Sequence, residues 1–201
     1  MGIVVKPILF NTEMVRAILD GRKTVTRRVV KPQPEMALAY IWGGHKARHW
    51  GYSPYDEENY AKYRYSSKYW TQPCNADDIL WVRETWAPYS RNLGLMPEIH
   101  YRADGDNLPG VKWRPSIHMP KEAARIWLRV TNVRVEQVRD ILKDPPGPNN
   151  QVVREGCRYT CDFIATWENT IKKADKGLYG WDANPWVWVI AFERCEKPNE
   201  V

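Results

Sequence analysis

The chain has 201 residues, 43% of them hydrophobic, and 30 lysines and arginines against 24 aspartates and glutamates, a formal net charge of +6. This length fits one domain with room for a large insertion. No stretch approaches the roughly 20 consecutive apolar residues of a membrane-spanning helix, so a transmembrane protein and a membrane partner are excluded as expectations.

The basic excess suits a polyanionic partner without requiring one. Eleven tryptophans and eleven tyrosines stand against three phenylalanines. Such side chains pair an apolar face with a polar tip and serve either a core or a base-stacking surface. The N-terminal "MGIVVKPILF" lacks the apolar region and cleavage site of a secretory signal. Lys6 stands where a myristoylation signal has Ser or Thr, and the expected location is cytoplasmic. Cys157 and Cys161 are four apart, but no second pair stands at zinc-finger spacing. The four cysteines read as reduced structural thiols, with no metal and no cofactor expected.

In chain order, Ile8 to Phe10 read as a short strand. "NTEMVRAILDG" reads as a helix capped by Asn11 or Thr12, with Met14, Val15, Ile18 and Leu19 as its apolar face and Gly21 as its end. The β-branched "KTVTRRVV" reads as a strand. Residues 32 to 76, rich in tyrosine, glycine and charge, show no sustained period. They read as a long insertion with little regular structure, either lining a nucleic-acid path or pinned to the body by aromatic anchors. "DDILWVRETW" and "EIHYRAD" read as strands. "RIWLRVTNVRVEQV" carries a long β pattern with Ile126, Leu128 and Val130 on one face, and "VEQVRDI" reads as a short helix before the breaker "DPPGPNN". "QVVREG" reads as a helical turn ending at Gly156. In "TCDFIATWENTIKK", Thr160 caps a helix with Phe163, Ile164, Trp167 and Ile171 at helical spacing. "PWVWVIAFERC" closes as a strand with Trp186, Trp188, Ile190 and Phe192 on one side. The sum is an α+β chain, a mostly antiparallel β-barrel with a few peripheral helices.

"GRKTVTRR", Gly21 to Arg28, concentrates cations and hydroxyls after a glycine that can reverse the chain. A lysine desolvated beside other cations loses its proton more readily, and Arg22, Arg27 and Arg28 are its neighbours in sequence. A neutral Lys23 could then take a proton from the Thr26 hydroxyl or from water, and Arg28 could hold an oxyanion or phosphate. The structural alternative is a strand of β-branched residues, with Lys23 covering a helix end.

These segments together, "ILF", "DGRKTVTRR", "DDILWVRETW", "WRPSIHMP", a late "EG" and the terminal "WVWVIAFER", resemble ASCH-domain proteins, and within them the prophage-associated branch. The resemblance spans most of the chain outside about residues 33 to 74, around the G-x-K-x-x-T-x-R core of Gly21, Lys23, Thr26 and Arg28. It implies a single PUA-like domain over residues 1 to 201, with a peripheral insertion at about 32 to 76. It also implies a cleft for RNA or a modified nucleobase. One branch hydrolyses N4-acetylcytidine with a lysine, a threonine and a glutamate. These map to Lys23, Thr26 and, as the best candidate, Glu155, which would protonate the leaving amine. Two departures stand out: the chain is about twice the length of the small hydrolases, and Asp77 precedes Asp78 where the family usually has glycine.

Arg22 and Arg28, the strand residues Arg83 and Glu84, and Trp113 and Arg114 of "WRPSIHMP" are the candidate ligand-binding residues. Arg83 and Glu84 either join buried ion pairs or line the pocket. Trp113 either stacks on a base or belongs to a loop fixed by Pro115 and Pro120. Arg22, Arg27, Arg28 and Lys31 are the expected phosphate contacts. The expected partner is a modified nucleoside or single-stranded RNA. The activity is either a metal-independent N4-acylcytidine amidohydrolase or non-catalytic RNA binding, with a ribonuclease as a third reading.

Overall fold

The computed structural model describes residues 4–35, 38–40, 49–52, 70–89, 98–105, 110–145, 147 and 149–198. In chain order the elements are β1 (Val5–Leu9), α1 (Thr12–Leu19), β2 (Val25–Val29), β3 (Leu38–Tyr40), β4 (His49–Tyr52), β5 (Trp70–Thr71), β6 (Ile79–Arg83), β7 (Trp86–Tyr89), β8 (Glu98–Tyr101), β9 (Trp127–Gln137), α2 (Gln151–Arg154), α3 (Thr160–Thr170), α4 (Lys176–Tyr179) and β10 (Trp186–Cys195), with short 3₁₀ turns between some of them. The chain is α+β, and its strands pair mostly antiparallel. Two compact units divide it: one of Met1–Thr24, Asp77–Val130 and Phe192–Val201, the other of Val25–Ala76 and Thr131–Ala191. Among the described residues no ladder closes a barrel.

In the first unit β6 pairs parallel with β1, Val5 opposite Ile79 through Leu9 opposite Arg83, and antiparallel with β9, Ile79 opposite Arg129 through Trp81 opposite Trp127. Its run Ile79–Val82 is buried on both faces, as an interior strand requires. Helix α1 starts where the Asn11 side chain accepts from the Met14 amide at 2.8 Å, and it buries Val15, Ala17 and Ile18. The strand expected to run through Thr85 breaks instead. The Glu84 amide turns to the Met119 Sδ at 3.2 Å and its carboxylate turns to Arg125, so β6 ends at Arg83 and β7 begins a new hairpin with β8. Behind that hairpin Trp86, Met119 and Ala123 pack with Ile99 and Tyr101.

In the second unit β2 pairs antiparallel with β10, Val25 opposite Ala191 through Val29 opposite Val187. One face of this ladder, Val25, Val187, Val189 and Ala191, packs against Val138, Ile141, Val152, Phe163 and Trp167. The expected short helix at "VEQVRDI" is present but starts later: Val135 to Gln137 stay in β9, and a 3₁₀ helix covers Val138–Lys143. The Gln137 amide donates to the Asp140 carboxylate, which starts the turn there, while the β-branched Val133 and Val135 keep the preceding chain extended. Helix α3 is capped one residue earlier than expected. Tyr159 occupies the cap position, and its amide donates to Asp162 at 3.0 Å.

Much of the 32 to 76 insertion lies outside the described residues. Its described parts carry more regular structure than the sequence suggests: β3, β4 and β5 form a three-stranded antiparallel sheet. Within the second unit Trp50 meets Trp188 edge-on at 5.8 Å, and the buried Trp70 donates from Nε1 to the Pro32 carbonyl at 2.7 Å.

Candidate functional site

The motif begins where α1 stops. The amides of Arg22 and Lys23 both donate to the Ala17 carbonyl at 2.9 Å, and Gly21 takes φ +74°, a left-handed turn that a side chain resists. This corner turns Lys23 inward, to 2% exposure, with Nζ 5.7 Å from the centre of the Phe10 ring. Arg22 stays outside and pairs with Asp20 at 2.8 Å, both half-exposed.

Strand alternation then sorts the residues of β2. Arg27 shares a side with Val25 and Val29, the side covered by α2 and α3, whereas Thr26 and Arg28 take the other side, with their ladder partners Ile190 and Trp188. Arg27 is 4% exposed and anchors a charge network. Its Nη1 donates to Glu155 at 2.9 Å, its Nη2 donates to Glu136, and its guanidinium lies 5.9 Å from the Phe163 ring centre. Glu136 also accepts from Arg134 at 3.0 Å. Glu155 sits at the C-cap of α2, its amide bonded to the Gln151 carbonyl, and Gly156 at φ +88° ends that turn. Burial lowers the pKa of Arg28 from its ordinary range, and the charge of Glu155 opposes that shift.

The motif residues therefore fall into distinct settings. Lys23, Thr26 and Glu155 are all buried; Glu155 is brought to Arg27, and Thr26 lies across the strand from that pair. Arg27, expected as a phosphate contact, is corrected to a buried partner of two glutamates. Lys31 lies with Nζ 4.6 Å from the Tyr179 ring centre.

In the first unit Arg83 and Glu84 part company. Arg83 donates to the main-chain oxygens of Met119, at 3.1 Å, and Ile117. Glu84 is 1% exposed and receives a two-pronged guanidinium from Arg125, Nε to Oε1 at 2.9 Å and Nη2 to Oε2 at 3.0 Å. Burial raises the pKa of Glu84 more than the Arg125 bonds and charge lower it. Burial acts to lower that of Arg125, but its bonds to Glu84 and Asp104 outweigh this and raise it. Trp113 is part-exposed beneath the Arg102 guanidinium, at 5.2 Å. Arg114 is exposed above the Trp86 ring, at 5.3 Å, and its backbone bridges to Trp86.

Sequence reading missed Arg125 and Glu136. Both lie far along the chain from the carboxylate or cation they serve, and no local spacing announces them. A weak signal existed for Glu84, a carboxylate inside an apolar run, which needs a cation from elsewhere. Among the described residues no group of three or more His, Cys, Asp or Glu side chains is placed to hold a metal, and no helix is long and apolar enough to cross a membrane. No protein-family model, curated protein or solved structure matches the chain.

Proposed function

We propose that the protein binds a modified nucleobase, in a nucleoside or in single-stranded RNA, as an ASCH-type protein with a PUA-like barrel. One observation carries the reading. Lys23 and Thr26, which the motif assigns, and Glu155, the best candidate for the family's glutamate, are three of seven polar or charged residues buried among the described residues. Lysine and glutamate are seldom buried without a task or a partner. A second observation supports the resemblance itself. Asp77, at the place of the family's glycine, holds φ +69°, a conformation that favours glycine.

The hydrolytic form of the reading gives each residue a demand to meet. An amide yields only when its attacker loses a proton and its nitrogen gains one. Lys23 takes the proton, Thr26 supplies or activates the attacking oxygen, and Glu155 delivers a proton to the N4 amine. Glu155 is held by Arg27 on the side of β2 away from Thr26, so this form requires it to leave Arg27 and reach the same amide as Thr26. Binding has no such requirement, which makes the binding form the better supported of the two.

The test is incubation of the protein with N4-acetylcytidine, with binding followed by calorimetry and products by chromatography. Saturable binding, weakened about tenfold or more by Lys23→Ala or Thr26→Val, is expected from the loss of buried polar partners. Release of cytidine and acetate, abolished in Lys23→Ala and not rescued by Lys23→Arg, would establish the hydrolytic form, because a guanidinium keeps its proton. Neither binding nor turnover of N4-acylated cytidines, together with no salt-sensitive affinity for single-stranded RNA, would refute the reading.

A further inference from the structure

The first unit holds a cavity of about 420 Å³ walled in part by Glu98, His100, Tyr101, Asp104 and Arg125. Its size falls within the roughly 300–1,000 Å³ of small-molecule sites. Lys23, Thr26 and Glu155 are not among its walls.

One guanidinium organises the cavity. Arg125 gives Nε and Nη2 to Glu84 and Nη1 to Asp104 at 2.6 Å, so all three nitrogens are engaged. Its central carbon lies over the Tyr101 ring, 3.9 Å from the ring centre. Tyr101 is fixed in turn, its hydroxyl donating to the Ala123 carbonyl at 2.8 Å. A guanidinium held in its plane by two carboxylates and stacked on a phenol is a rigid flat surface. The Arg125 side chain keeps 26% of its area exposed, so part of that surface remains open. Flat cations of this kind take flat π-systems.

The charges around the platform select among such ligands. Glu84, Glu98 and Asp104 set three carboxylates against one guanidinium. The guanidinium is already occupied by two of them, so it offers little to a phosphate, and the surplus negative charge repels one. The same carboxylates are acceptors for N–H donors.

We infer that this cavity binds a planar, amino-bearing heterocycle without a phosphate, a nucleoside or free base such as adenosine or cytidine. The ring stacks on the Arg125–Tyr101 platform, and the amino group donates to Glu98 or Asp104. The inference does not rest on the reading of Lys23, Thr26 and Glu155.

The test is a titration of the ¹⁵N-labelled full chain with adenosine, cytidine, uridine and adenosine 5′-monophosphate, read at the backbone amides of residues 98–105. Adenosine and cytidine are expected to give saturable shifts there, and uridine, which lacks the amino group, weaker ones. The monophosphate should bind about tenfold or more weakly than adenosine, because its charge meets the carboxylates. Glu98→Lys changes an exposed residue and should leave the fold intact. It should weaken adenosine by about fivefold, through the lost acceptor, and narrow the monophosphate gap. Lys143→Ala, at an exposed residue outside both sites, should leave adenosine affinity within about twofold. The inference is overturned if neither amino nucleoside shifts these amides at millimolar concentration, or if the monophosphate binds as tightly as adenosine. It is equally overturned if Glu98→Lys leaves both the adenosine shifts and the monophosphate gap unchanged.

Discussion

Replacing Arg27 by leucine tests the charge network of the second unit. Arg27 has 1% of its side chain exposed and faces Glu155, at 4%, and Glu136, at 16%. The leucine removes the guanidinium from which Glu155 accepts, while Arg28, whose pKa the Glu155 charge also affects, remains. Removing one partner of a buried ion pair costs about 3–5 kcal/mol, most of it the penalty of an uncompensated charge. Glu136 adds little to this, because it is nearer solvent and keeps Arg134. A domain of ordinary stability has about 5–15 kcal/mol in total, so the variant should lose about a fifth of it or more. Urea unfolding at neutral pH measures the change, with an unchanged slope showing that the same surface is exposed. The double variant Arg27→Leu/Glu155→Leu removes both charges and should recover about 2 kcal/mol or more of the loss. As a contrast, Asp20→Ala breaks the Arg22 pair, whose members are 50% and 56% exposed, and should cost no more than about 1 kcal/mol. A cost for Arg27→Leu below about 1 kcal/mol at unchanged slope, or no recovery in the double variant, would refute the assignment of a buried pair.

Three further outcomes follow from other parts of the molecule. Burial raises the pKa of Glu84 above its ordinary 4.5, so the folded state holds its proton to higher pH than the unfolded chain. Its contribution to stability should be full below pH 4.5 and decline as pH rises through the folded value. The stability of the wild type minus that of Glu84→Gln, from urea midpoints across this range, should therefore fall with rising pH, and a rise would contradict the assignment. Gly21→Ala should cost about 1–2 kcal/mol in thermal or urea unfolding, because φ is +74° although an added methyl meets nothing within 4 Å; Gly21→Asn should cost less, since asparagine tolerates this region. In the native protein a thiol reagent should modify the exposed Cys161 first and Cys74, at 1% exposure, last. Cys195, whose pKa burial raises, should react after Cys161, and mass spectrometry of timed samples checks the order.

The sequence by itself determined the elements whose signals are local. Helix α1 and the strand after it were legible because an asparagine cap, an apolar helix face and a terminating glycine act within a few residues of one another, whereas β1 begins at Val5, three residues before the expected Ile8, and ends at Leu9. The long strands β9 and β10 were legible from their apolar and β-branched runs. Where a boundary depended on a distant partner, local pattern failed. The run through Trp86 carries strand residues throughout, yet it breaks at Glu84, whose amide turns to Met119, 35 positions away, and whose carboxylate meets Arg125, 41 positions away. The sequence also singled out Lys23, Thr26 and Glu155, through a motif and a resemblance, but could not say that all three are buried. It could not tell Arg27 from its neighbours in a run of cations. Only the tertiary structure decided that Arg22 faces water and that Arg27, five residues on, is enclosed with two glutamates. The physical reason is range. Caps, turns and periodicity are set by backbone geometry over a few residues. A buried charge is set by the partner that folding brings to it from 109 or 128 positions away, a distance over which the chain carries no local pattern.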